Sequence, residues 1–274
     1  MENQRFRGTV APSPNLSAPS NMAREVVILD LTILLVCGAA FLCGGLIKGV
    51  VGMGLPLTAV ALMTQVIDLR IAVPLLVVPI LVTNAMQAVR GGRFIQLTGE
   101  YWPLVVPACI TTFFGVYILY NVDTAYLLAT LGGVITVYAL INLLAVRVTV
   151  SHRHKPWLSP LTGIAAGLMA GMTGVIAIPT MIYFQALQLA KDVFVQALGI
   201  TFFIAGIFLM IALWREGGLN LDNIPISALA MVPAVTGMYL GEKLRGRISE
   251  DRFRTGVFIF LALTGLNLIR KAVF

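Results

Sequence analysis

The stretch Gly44 to Leu57, GGLIKGVVGMGLPL, limits what this chain can be more than any other. It lies in a long apolar region where Lys48 is the sole charged residue between Leu31 and Ile67. Glycine weakens a helix, and proline also removes a backbone donor. Within lipid, a helix broken in this way survives only where the freed backbone is buried in protein or lines a wet cavity. A lysine at that depth costs about 2.5–3.5 kcal/mol on insertion scales, which marks it by default as a site residue. The stretch therefore reads as a broken helix that holds part of a site for a small anion.

Composition agrees. The 274 residues are 58% hydrophobic and 11% charged, against about 25% charged in a soluble domain. Long apolar runs joined by short polar links argue for helices, since barrel strands would alternate apolar and polar. The expected fold is an all-α polytopic membrane protein with about 8–10 transmembrane segments, broken or re-entrant helices among them. The net charge of +7 collects in the links, as the positive-inside rule expects. No folded polar domain carries a basic face for nucleic acid. The partners expected are the lipid bilayer and a small anion. Cys37, Cys43 and Cys109 lie in apolar segments and read as packing residues. His152 and His154 sit in a basic loop without further ligands. No metal and no cofactor are expected.

Taken in order, residues 1–25 form a Pro-, Ser- and Asn-containing tail expected to be disordered. Val26 to Ile47 reads as an uncleaved first helix. Leu55 to Ile67 is too short to cross about 30 Å comfortably, so it is a tilted span or one arm of a re-entrant hairpin. Ile71–Val89, Pro103–Tyr120 and Ala125–Val146 follow, with Arg90 to Glu100 as a loop. These make a first membrane repeat over 26–147, and 148–156 is a basic linker. A second repeat covers 157–274. In it GLMAGMTG at Gly167–Gly174 matches GLIKGVVG at Gly45–Gly52, and Pro179 matches Pro56. Gln188–Val193 matches Gln65–Arg70, Arg215 matches Arg90, and Asn267 matches Asn142. Five crossings per half, or three with a re-entrant hairpin, are both odd, so the halves insert in opposite senses. Inverted repeats with discontinuous helices are the signature of secondary transporters, with the site where the breaks meet near the midplane. Lys and Arg in the links after segments three, five and nine place that face in the cytoplasm.

The lysine-bearing break, and GLMAGMTGVIAIPTMIYFQALQLAKDVFVQALGITF at Gly167–Phe202, resemble the TauE/SafE family of sulfite and organosulfonate exporter-like permeases. The resemblance spans about residues 26–272. It implies a permease of the bacterial inner membrane that moves small sulfur-containing or carboxylated anions. The chain departs from symmetry in one respect: Ala170 stands opposite Lys48, with Thr173 nearby.

An anion crossing lipid needs a substitute for its hydration shell. Half-helix N-termini offer amide donors and about half a positive charge. The candidate substrate-binding residues are Lys48, Gly49, Gly52, Gly54, Asn84 and Gln87 in the first half. In the second half they are Gly171, Thr173, Gly174 and Thr180. A proton or sodium ion as coupling partner, and a homo-oligomer, are compatible with this reading. No catalytic residues are expected: the apolar segments carry no His cluster, paired carboxylates or P-loop, which argues against an enzyme. A passive anion channel could use Lys48 equally well and stands as the alternative.

Overall fold

The computed structural model describes residues 31–144 and 149–273, and its regular elements are all helical. The expected tail at 1–25, the start of the first helix at 26–30 and residues 145–148 lie outside the described residues. The helices are α1 (Leu31–Val51), α2 (Leu55–Met63), α3 (Leu69–Val89), α4 (Phe94–Asn121) and α5 (Thr124–Leu143). After them come α6 (Lys155–Thr173), α7 (Ala177–Ala186), α8 (Lys191–Arg215), α9 (Ile224–Leu244) and α10 (Glu250–Val273). Seven of these, α1, α3, α4, α5, α8, α9 and α10, are long and apolar enough to span a membrane. At 9 and 10 residues, α2 and α7 are about 14–15 Å long, half a bilayer core.

Two boundaries differ from the sequence reading. The helix expected to end at Ile47 runs unbroken to Val51, so the interruption is only Gly52 to Gly54. The loop expected over Arg90–Glu100 is short, because α4 already begins at Phe94. Its charged first turns are held by the ion pair between Lys155 and Glu100 and by the Lys155 ammonium 4.9 Å from the Tyr101 ring centre. Charges there mark the edge of the apolar layer, which is not the edge of the helix.

Small residues set the helix pairing. A Cβ on Gly45 would run into the backbone at Ala234, and one on Gly49 into that at Met238. Gly163, Gly167 and Gly171 likewise abut Leu104, Ala108 and Thr112. Contact positions rise together in both cases, so α1 lies parallel to α9 and α6 parallel to α4. Such spacing lets backbones approach closely, which drives association in lipid. α2 turns back along α1, with Gly54 near Ile47 and Gly44 near Leu55. The antiparallel pair α3 and α8 is the most buried of the spans, with Gly199 on Gln87 and Gly206 on Ile80.

The prolines of α3 are repaired by neighbours. Pro79 cannot donate to the Leu75 carbonyl, and Ser227 Oγ of α9 donates to it instead at 3.0 Å. Pro74 frees the Arg70 carbonyl, which the Tyr120 hydroxyl approaches at 3.5 Å.

Candidate functional site

The break between α1 and α2 depends on conformations that suit glycine. Gly52 and Gly54 have φ of 90° and 106°, values a side chain would strain. Gly54 opens α2 with no side-chain cap on its first turn. The Gln87 amide of α3 donates to the Gly52 carbonyl at 2.8 Å and ties the break to α3.

One turn before the break, Lys48 is only 3% exposed. Its ammonium donates to Asn84 Oδ1 at 2.6 Å and Thr83 Oγ1 at 3.2 Å, both on α3. Thr83 passes its own proton to the Pro79 carbonyl at 2.6 Å. Lysine only donates, so the Asn84 oxygen must face it and the amide NH₂ points elsewhere. That nitrogen is buried and without a partner. Among the described residues no carboxylate pairs with Lys48. The cluster therefore has a buried ammonium bonded only to neutral oxygens, and an amide donor without an acceptor. Buried charges are ordinarily paired, and buried donors satisfied.

The other candidates are seated differently. Gly49 and Gly171 face α9 and α4 in helix contacts. Thr173 Oγ1 donates to the Met169 carbonyl at 2.7 Å and accepts from the Val175 amide at 3.3 Å. Thr180 donates to the Ile176 carbonyl at 3.2 Å. Gly174, with φ of 72°, ends α6 against Val73 and Leu76. On α3 the first break is tied to Gln87, and Gly174 abuts Leu76 and Val73, nearer the start of that helix. The spare donors, the Lys48 ammonium and the Asn84 amide of α3, lie beside the first hairpin, α1–α2.

A cavity of about 720 Å³ opens beside the first break. Val51 and Met53 line it, and Asn142, Gln188 and Arg254 are among its polar lining residues. Behind Met53 a hollow of about 20 Å³ is bordered by Gly54, Thr58 and Tyr138. Thr58 Oγ1 is buried there without a partner, and the Tyr138 hydroxyl donates to Met181 Sδ at 3.1 Å. Thr83, Thr58 and Arg254 were not singled out from the sequence. A lone threonine in an apolar run, or an arginine at a helix start, carries no signal of its own.

The family description "sulfite exporter TauE/SafE" matches residues 36–268, most of the chain. No curated protein and no solved structure matches it.

Proposed function

The chain belongs to the sulfite exporter TauE/SafE family, and from that premise we propose that it is a secondary transporter whose anion site is built on Lys48 and Asn84. The cargo is a small sulfur oxyanion or an organosulfonate or carboxylate of similar size. The single observation that carries this reading is the surplus of donors around Lys48: a buried ammonium bonded to neutral oxygens, beside a buried amide with no acceptor. An oxyanion is the complement of that arrangement, since it brings one charge and several acceptor oxygens.

The neighbouring break adds to the site. Gly52 and Gly54 let a ligand approach the backbone, and the start of α2 turns its amides and its positive dipole end toward the break. Gln87 holds the break in register with Asn84, one turn away on α3. The second hairpin supports the scaffold. Gly174 supplies the positive φ that ends α6, and the hydroxyls of Thr173 and Thr180 donate to carbonyls of their own hairpin.

The chain's halves, 26–147 and 157–274, act as inverted repeats in this reading. The pairing of α1 with α9 and of α6 with α4, each exchanged for the other by swapping the halves, supports it. In this reading the side of Arg90, Lys155 and Lys243, with its basic links, faces the cytoplasm of a bacterial inner membrane, as the positive-inside rule favours.

Flux of sulfite, thiosulfate, sulfoacetate, sulfate and lactate by purified protein in liposomes tests the proposal. Saturable flux that follows a proton or sodium gradient is expected. Flux linear in driving force at high turnover would instead mean a channel, and no anion flux at all would end the reading.

A further inference from the structure

Two matching pairs of residues stand in opposite states at the two ends of the molecule. At one end the Asn267 amide of α10 donates to Gln65 Oε1 at 2.6 Å, just beyond α2. Lys271 Nζ adds bonds to the Thr64 and Gln65 carbonyls at 3.0 and 3.4 Å. The end of α2 is thereby fastened to α10. At the other end the counterparts are Asn142 of α5 and Gln188, just beyond α7. These two are not bonded to each other. Asn142 donates to the Tyr138 carbonyl at 2.9 Å, and Gln188 donates to the Gln185 carbonyl at 2.8 Å. Both line the 720 Å³ cavity. Gln188 is also held at φ of 53°, the sole non-glycine with positive φ among the described residues. A non-glycine residue keeps such a conformation where surrounding structure imposes it.

Arg254 lies between the two spaces. It borders both the wide cavity and the small hollow behind Met53. Its guanidinium is loosely held, by Asn142 Oδ1 at 3.4 Å and by the Phe258 ring at 5.6 Å. Lys191 and Asp251 also border the cavity.

We propose that the cavity is the access route of the transported anion, with Arg254 as the first group it binds, and that Gln65–Asn267–Lys271 is the closed gate of the opposite face. Asn142 and Gln188 are the same gate in its open state. Transport exchanges the two: Asn142 meets Gln188 as Asn267 leaves Gln65, and Lys48 is reached alternately from each side. An arginine at the mouth of a low-dielectric cleft raises local anion concentration, so Arg254 acts on capture more than on the crossing itself. This inference rests on the transport reading above.

The test uses proteoliposomes with sulfite as the probe, in a background with Cys37, Cys43 and Cys109 replaced by alanine. Arg254→Gln should raise KM about ten-fold and leave kcat within about two-fold, and Arg254→Lys should recover most of the loss. Bridging Gln65→Cys to Asn267→Cys with a short, reducible bifunctional thiol reagent should lower flux at least about ten-fold, and reduction should restore it. Unchanged KM in Arg254→Gln, or full flux with the bridge in place, would overturn the proposal. If the bridged protein does not recover on reduction, thiol access decides. A membrane-impermeant maleimide must label Gln188→Cys from the side of the basic loops and spare Gln65→Cys, and the reverse pattern overturns the gate assignment. A wild-type protein with no Lys48-dependent flux would instead overturn the transport reading, while the labelling pattern would still judge the gate.

Discussion

Lys48→Met separates binding from folding, because its two effects on stability oppose one another while its effect on binding has no offset. The substitution keeps the length and most of the volume of a side chain that is 3% exposed. It removes a buried charge without a carboxylate partner, and replacing buried ionic groups by apolar ones of similar size is often neutral or stabilising. Against that, Asn84 Oδ1 loses its donor, which costs about 1–3 kcal/mol for a buried acceptor. Thr83 loses little, since its own bond to the Pro79 carbonyl remains. The net change in stability should be within about 2 kcal/mol. For the bound anion there is no such offset. Losing one partner of a desolvated charge pair costs about 2–5 kcal/mol, or roughly 30-fold to several thousand-fold in affinity at 1.4 kcal/mol per decade. The assays are sulfite binding by calorimetry in detergent, sulfite flux in liposomes, and thermal unfolding of the same preparations. Expected are a melting temperature near that of the wild type and a binding constant weakened by at least about 30-fold. Wild-type affinity in a well-folded Lys48→Met protein would refute the site.

Three more outcomes follow from the same geometry. Asn84→Asp puts a carboxylate against the Lys48 ammonium, 2.6 Å from the present oxygen contact, so thermal stability should rise while sulfite binding disappears; binding at wild-type strength would show that the anion sits elsewhere. Gly52→Val and Gly174→Val both force a branched residue to positive φ, at about 1–2 kcal/mol each, yet only Gly52→Val should also weaken binding, as measured by titration on folded protein. Ser227→Ala removes the donor that Pro79 makes necessary at Leu75, and thermal unfolding should show a loss of about 1–3 kcal/mol with sulfite affinity unchanged.

How much was legible in the sequence can be seen from particular residues. The end of α1 and the start of α2 have a local cause that the sequence displays: Gly52 and Gly54 supply backbone angles, and Pro56 sits where a helix can begin. The burial of Lys48 was readable for the same kind of reason, since a charge in a long apolar run stands out against its own neighbours. The same rule overreached at Gly44, Gly45 and Gly49. They look like breaking residues in one dimension, but they continue α1 and receive the backbones of α2 and α9.

By itself the sequence determined that this chain is a helical membrane protein, that glycine- and proline-rich stretches stand at two places in its apolar runs, and that one lysine lies deep within such a run. All three follow from the water-to-lipid transfer of successive residues and from the angles each residue tolerates. The tertiary structure alone decided which hydrogen bonds are made and which are left over. Lys48 meets Asn84 from another helix, Thr173 and Thr180 spend their hydroxyls at home, and Gln65 reaches Asn267 while Gln188 does not reach Asn142. Those outcomes depend on which groups packing brings within 3 Å or so, and chain distance does not encode that.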